Sequence, residues 1–444
     1  MARKQDFCIR MQYISIVRRT ESIILQRQNE KHTQTLFFLL TVMSTFSKLL
    51  LTVAVTLSAS LASAKVLNPD QMWVEHQLGY CDEQIQSTLL QLPDYASLPR
   101  SICHGEKAWG TTDYSDWTSG FWPGILWYRY EYTHQKSDRR LALRYTRALD
   151  SLVVPDHVVD HDIGFQMICS YGNAYRLTGN KRYIAPMQKG AAKLAALFNP
   201  RVGTILSWPH MVKKEHWPHN TIMDNMMNLE LLFFCAKHGG PREYYDMAVS
   251  HARTTMQNHF RPDYTCYHVA LYDSISGRFI RGVTNQGYSD DSFWARGQAW
   301  AIYGYTMVYR ETQDKTFLRF VEHVADVYLR RLPADLVPYW DFDDPKIPDA
   351  PRDASAAAIV ASALIELSQL EDNRLLAAEY LSKATVMLRS LSSDAYLSQD
   401  RNPAFLMHST GNLPGKYEID ASINYADYYY IEALTRLKNT INNN

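Results

Sequence analysis

The chain has 444 residues, is 46% hydrophobic, and carries 46 basic against 46 acidic residues. A formal charge of zero excludes a nucleic-acid binder of the ordinary kind, which displaces counterions with a basic surface. The length allows one large domain or two to three small ones, and 10 Trp, 29 Tyr and 16 Phe supply flat apolar faces that stack on sugar rings or fill a helical core equally well.

The first 64 residues are expected to lie outside the fold. Residues 1–42 read as an upstream extension ahead of the true start. Residues 43–64 then read as a secretory signal: Met43 and Lys48, an apolar run from Leu49 to Leu61, and Ala62-Ser63-Ala64 before Lys65. These are the charged start, short apolar middle and small-residue cleavage site of such signals, and the run is too short for a comfortable membrane span. Residues 65–444 are therefore expected as one domain, exported across the inner membrane to the periplasm, with no membrane span. Cys81, Cys103, Cys169, Cys235 and Cys266 remain, odd in number and irregular in spacing. That predicts neither a disulfide framework nor a structural zinc, but buried free thiols.

From there the chain reads as helix almost throughout, in pairs. Gly120–Tyr132 leads through a turn at Thr133–Asp138 into Arg139–Leu152, and Phe165–Leu177 through Thr178-Gly179-Asn180 into Tyr183–Phe198. Met227–Lys237 is followed by Glu243–Phe260, Gln298–Arg310 by Phe317–Arg331, and Ser355–Leu370 by Leu375–Leu391. The turns hold Gly, Asn, Asp and Thr, as caps require. In each pair the first helix is apolar or aromatic nearly all round and the second has one apolar stripe, which predicts an inner and an outer helix. Tyr425–Leu437 with a helix at Glu83–Leu92 closes a sixth pair. The fold expected is all-α, an (α/α)6 barrel.

A polar-aromatic sequence precedes or opens each inner helix: Asp116-Trp117, His161-Asp162, Asp224-Asn225, Trp294-Ala295-Arg296, Arg352-Asp353 and Asp427. If the inner helices run parallel, all six gather at one mouth, where helix N-termini also favour an anion. Any single aspartate here is also explained as an N-cap, and Asp116, Asp353 and Asp427 are read as caps or ties. Asp162 stands beside His161, and Asp224 lies among Ile222, Met223 and Met226, flanks that desolvate a carboxyl and raise its pKa as acid catalysis near neutral pH requires. Trp208 lies in a loop, where a large aromatic calls for a contact. Arg296, in an apolar stretch between Trp294 and Trp300, needs an anionic partner, either a structural aspartate or a substrate carboxylate. His268 reads as a core histidine or a polar contact. No phosphate loop, His-Glu-x-x-His or Gly-x-Ser-x-Gly motif is present, so no metal or cofactor is expected.

Taken together, the motifs resemble glycoside hydrolase family 88, the unsaturated glucuronyl hydrolases. They are Asp116-Trp117-Thr118-Ser119-Gly120-Phe121-Trp122, His161-Asp162-Ile163-Gly164-Phe165, Ile222-Met223-Asp224-Asn225-Met226-Met227-Asn228-Leu229, Asn285-Gln286-Gly287, Trp294-Ala295-Arg296-Gly297-Gln298-Ala299-Trp300, Tyr339-Trp340-Asp341-Phe342, Arg352-Asp353-Ala354-Ser355-Ala356 and Ala426-Asp427-Tyr428-Tyr429-Tyr430. The resemblance implies an (α/α)6 barrel that removes a 4,5-unsaturated uronic acid from the non-reducing end of lyase-generated oligosaccharides, those of glycosaminoglycans foremost, by hydrating the double bond. It implies Asp224 as the acid that protonates C4 and then activates water, and Asp162 as the second carboxylate. Trp117 and Trp208 are then stacking surfaces, and His161, His268, Gln286 and Arg296 polar contacts to the sugar and its carboxylate. Trp294 and Trp300 are expected to line the same pocket, and the loop His408–Lys416 to reach the leaving sugar or a sulfate on it. The pattern departs at Asn285, where other members carry His. Two other readings remain at this point: an unsaturated rhamnogalacturonyl hydrolase acting on pectin fragments, and a catalytically silent glycan-binding barrel.

Overall fold

The computed structural model describes residues 19–23, 25–45, 47–48, 68–92 and 94–443. It divides into two compact units, residues 1–68 and 69–444. In the first, residues 19–23, 25–45 and 47–48 are helical and exposed; the Leu49–Leu61 run and the Ala62-Ser63-Ala64 cleavage site lie outside the described residues. No helix among the described residues is long and apolar enough to cross a membrane.

The second unit is built from α1 (Pro69–Gln91), α2 (Phe121–Thr133), α3 (Lys136–Ala148), α4 (Ile163–Met167 continuing through a π-helical turn, Ile168–Gly172, into Asn173–Thr178), α5 (Ile184–Ala195), α6 (Asn225–Lys237), α7 (Arg242–Asn258), α8 (Ala295–Thr312), α9 (Lys315–Arg331), α10 (Ala354–Leu370), α11 (Arg374–Leu391) and α12 (Asn424–Asn443). Helices α2, α4, α6, α8, α10 and α12 pack in that order into a ring that closes when α12 meets α2. Around it stand α3, α5, α7, α9, α11 and α1, each against its sequence neighbour or, for α1, against α12. The fold is an (α/α)6 barrel.

Helix composition explains the two layers. Every residue of α8 from Ala295 to Tyr309 is buried, whereas α9 buries only the stripe Phe317, Leu318, Val321, Val324, Ala325 and Tyr328. Each such side chain contributes about 1.5–3 kcal/mol relative to exposure, enough to hold an outer helix whose other face stays charged. Turns are closed by left-handed C-caps at His134, Gly179 and Gln313, and the next helices open on side-chain caps such as Asp314 and Asn373.

Three features depart from the sequence reading. The helix expected from Glu83 begins at Pro69. Its buried stripe, Val74, Gln77, Leu78, Cys81, Gln84, Ile85 and Thr88, is interrupted by polar residues: Gln77 accepts from Tyr430, Thr88 donates to the Pro403 carbonyl, and Gln84 Nε2 donates to the carbonyls of Gln399 and Ala404, both at 2.8 Å. An apolar-periodicity criterion does not see such a face. Among the described residues Cys103 is exposed, whereas Cys81, Cys169, Cys235 and Cys266 are buried, and these five are free thiols. Small sheets also decorate the mouth of the barrel, among them an antiparallel one of β5 (His219–Ile222), β6 (Val269–Tyr272) and β7 (Phe279–Val283).

Candidate active site

The β5–β6–β7 sheet explains why distant residues meet. Ile222 at the end of β5 pairs with Val269 at the start of β6, which pairs with Val283 at the end of β7. One edge of the sheet therefore delivers Asp224, His268 and the Asn285-Gln286 loop to the same place. Met223 N–H donates to the carbonyl of His268 (3.0 Å) and extends this ladder toward α6. Helix α4 brings Asp162 alongside because Gly164 lets the helices touch: a Cβ there would lie 2.5 Å from Asn228 Cα. That contact allows Asn228 Oδ1 to accept the N–H of Phe165 at 2.7 Å.

Four of the mouth aspartates stand just before a helix, yet they divide in two. Asp116 accepts the N–H of Thr118, and Asp353 those of Ser355 and Ala356. Asp162 and Asp224 also occupy N-cap positions, but their side chains cap nothing. Their carboxyls instead line a pocket of about 620 Å³ together with Trp117, Asp160, Trp208 and Arg296. Asp427 accepts the N–H groups of Phe405 and Leu406 and ties α12 down.

Each of the two free carboxyls faces a histidine of defined tautomer. His268 Nδ1 accepts the N–H groups of Asn285 (3.2 Å) and Gln286 (3.1 Å), so its proton is on Nε2, which lies 3.8 Å from Asp224 Oδ2. Asn228 spends its oxygen on Phe165, so its amide nitrogen donates to His161 Nδ1 at 3.0 Å and leaves the His161 proton on Nε2, 3.6 Å from Asp162 Oδ2. Burial keeps both rings neutral, pushing His161 down to about 3 and His268 well below the usual histidine range. His161 Nε2, His268 Nε2, Asp224 Oδ2 and Trp300 Nε1 are buried polar atoms without hydrogen-bond partners in the protein, a costly arrangement unless another molecule satisfies it.

Burial raises the Asp224 carboxyl to about 6, against the opposing pull of the Arg296 charge. Asp162 is pushed well above the carboxylate range by burial and by the charges of Asp160 and Asp224. A charge on Asp224 thus makes ionisation of Asp162 harder, so the two carboxyls hold a proton where an isolated carboxylate would not.

Trp208 is fixed although it sits in a loop. Asn220 Oδ1 accepts its N–H (2.9 Å) and Asn220 Nδ2 donates to its carbonyl (3.1 Å), and its ring stands edge-on to His268 at 5.7 Å. Trp117 reaches the pocket from a stack with Phe121, Phe165 and Tyr425. Gln286 also lines the pocket and donates to the Gly411 carbonyl at 3.1 Å.

Other expectations need correction. Trp294 and Trp300 do not line the pocket; they stand behind it, 2% and 0% exposed. Trp294 packs on His268 at 4.4 Å, while Trp300 lies between Phe165 and Tyr429, in the second turn of α8. Arg296 lines the pocket, but its fork is largely committed: Nη1 donates to Asp353 (2.7 Å) and the Thr410 carbonyl (2.6 Å), and Nη2 to the Gly411 carbonyl (2.5 Å). It thus pins the 408–417 loop against the mouth, and Asn412, Pro414, Gly415 and Tyr417 of that loop line the pocket.

Sequence reasoning missed Asn228, Asp160, His210 and Lys214. Asn228 was legible as a polar residue one turn after Asp224 in an otherwise apolar inner helix; the rim residues Asp160, His210 and Lys214 carried no signal. Asn285 lines the pocket. Among the described residues no group of three His, Cys, Asp or Glu is arranged to hold a metal ion. A pocket with two protonatable carboxyls and indole walls, backed by the buried neutral imidazoles of His161 and His268, can protonate a sugar and activate water.

The sequence pattern of Glycosyl Hydrolase Family 88 matches residues 89–438. An unsaturated glucuronyl hydrolase of Formosa agariphila is 42% identical over 376 residues, covering 83% of this chain and 92% of that protein. An unsaturated chondroitin disaccharide hydrolase of Streptococcus pneumoniae is 36% identical over 337 residues, 73% of this chain and 82% of the other. Among solved structures, an unsaturated glucuronyl hydrolase specific for heparin superposes with a TM-score of 0.78 at 42% identity, covering 83% of this chain and 98% of that one. The Bacillus sp. GL1 unsaturated glucuronyl hydrolase, responsible for the degradation of glycosaminoglycan, gives a TM-score of 0.77 at 30% identity, with 82% and 96% covered. The chain is a glycoside hydrolase and belongs to glycosyl hydrolase family 88.

Proposed function

We propose that the protein removes the 4,5-unsaturated uronic acid from the non-reducing end of glycosaminoglycan-derived oligosaccharides. The observation that carries this reading is the pair Asp162 and Asp224: two carboxyls at helix starts that cap nothing and share one buried pocket. Asp224, raised to about 6, donates its proton to C4 of the double bond and leaves positive charge shared by C5 and the ring oxygen. Water adds at C5 and gives its proton to the Asp224 carboxylate, which restores the acid. The resulting hemiketal opens to a ketone at C5, and the hemiacetal left at C1 expels the leaving sugar, so that one water is consumed per linkage broken. This is general acid–base catalysis without a glycosyl-enzyme intermediate.

The neighbours have parts in this scheme. Asp162 and the Nε2–H groups of His161 and His268 orient the hydroxyls and the uronate. Trp117 and Trp208 stack on the rings, while Gln286 and the field of Arg296 favour the substrate's negative charge. A C4=C5 bond of this kind is left by β-elimination, so the enzyme acts downstream of polysaccharide lyases. Purified protein is expected to abolish the ultraviolet absorbance of lyase-made disaccharides. A panel of sulfated and unsulfated chondroitin, hyaluronan, heparin and pectin products will identify the substrate, and absorbance that persists across the whole panel would overturn the reading.

The signal-like segment supports a periplasmic location for the mature chain. Expression of the full chain in a bacterium with two membranes is expected to yield periplasmic protein whose sequenced N-terminus is Lys65. Recovery of the uncleaved chain in the cytoplasm refutes export.

A further inference from the structure

Asp160 belongs to no motif, yet it stands in the same pocket as Asp162 and Asp224. Its Oδ1 accepts the backbone N–H of Asp162 at 3.0 Å, a short loop closed by the aspartate's own side chain. The turn sets where α4 begins and therefore where the Asp162 carboxyl points. Three carboxyls now crowd one cavity, with Asp116 adding a fourth negative group from the start of α2. The basic groups facing them are Arg296 from α8, Arg100, paired with Asp116 at 3.5 Å, His210 and Lys214 at the rim, and the neutral His161 and His268 behind the wall.

The three carboxyls are not equivalent. Asp160 is half-buried, while Asp162 and Asp224 are buried. Burial raises Asp160 too, but the Asp162 N–H and the charge of His210 oppose that rise. Asp160 is the most exposed of the three, and its charge is one of those that hold the Asp162 carboxyl up. A negative charge held beside two coupled carboxyls makes removal of the pair's last proton harder.

We propose that Asp160 is a positioning residue for the Asp162–Asp224 pair, fixing the backbone of Asp162 and supplying a charge that keeps a proton on the pair. This rests on the hydration reading, in which the pair must hold a proton to attack C4. A residue that served only the turn would set the level of activity; one that also supplies charge sets the pH range over which activity persists.

The test is kcat/KM against pH for wild type, Asp160→Asn and Asp160→Ala on an unsaturated disaccharide that the wild type consumes. In Asp160→Asn the side-chain oxygen that receives the Asp162 N–H remains and only the charge is lost. Its alkaline limb is expected to move down by about one pH unit, whatever the change in kcat at the optimum. Asp160→Ala is expected to show the same displacement together with a fall in kcat, because the turn is lost as well. Asp160→Ser, also uncharged, is read in the same way should either variant fail to fold. Uncharged variants whose alkaline limb superimposes on that of wild type overturn the proposal, whatever their kcat. If wild type consumes none of the disaccharides, the hydration reading itself fails, and the proposal falls with it for a distinguishable reason.

Discussion

Asp224→Asn is expected to lower kcat by about 10²–10⁴-fold and to leave the fold intact. The carboxyl is the proposed proton donor to C4, and the amide is nearly isosteric but cannot serve as the acid. The variant also has a stability signature. The folded-state pKa of Asp224, about 6, lies above its ordinary value of 3.8, so the folded protein favours the protonated form. Stability from this site is complete below about pH 4 and declines as pH rises through about 6. Asparagine carries no such cost. Thermal denaturation should therefore find Asp224→Asn at least as stable as wild type above pH 6, with the difference closing in acid. Near-wild-type turnover in this variant would remove Asp224 from the role of acid.

Arg296→Met is expected to be the most damaging change for stability, by about 3–5 kcal/mol. The guanidinium and Asp353 are 2% and 0% exposed, paired at 2.7 Å, and removal of one partner strands the other charge in the core. The carbonyls of Thr410 and Gly411 lose their donor at the same time, so the loop carrying Asn412 and Tyr417 is released from the pocket wall and KM should rise. The Arg296 charge also holds Asp224 down, so the alkaline limb of kcat/KM should move upward. Arg296→Met/Asp353→Asn separates these effects. The asparagine keeps the cap of α10 but no longer buries a charge, so denaturation should show most of the stability recovered while KM stays high. Equal recovery of both would mean that the loop does not depend on Arg296.

Much of the barrel was legible because inner and outer helices differ in how much of their circumference is apolar. Ala295–Tyr309 is buried all round and Phe317–Tyr328 along one stripe, and hydropathy alone separates the two. The sheet that assembles the site was not legible. His219–Ile222 and Val269–Tyr272 are buried on both faces, so the alternation that marks a half-buried strand is missing. The candidate residues fared according to the same logic. Asp162 and Asp224 stand at helix starts, which a hairpin repeat locates, and their motifs marked them further. Trp294 and Trp300 were placed too near the surface because composition does not tell a pocket wall from the layer behind it. Asp160 lies in a loop two residues ahead of a helix and resembles an ordinary turn residue.

The ring closes only when α12 packs between α10 and α2 and against α1, and β8 (Ser422–Ile423) pairs with β1 (Leu98–Ile102). The last helix of the barrel to be synthesised is therefore the partner of the first. Until it arrives, the nascent chain presents the apolar flanks of α2 and α10 without cover, and these long-range contacts cannot form early. Folding of this barrel therefore has an interval, lasting until α12 is made, in which the edges of an open ring are exposed to misassociation.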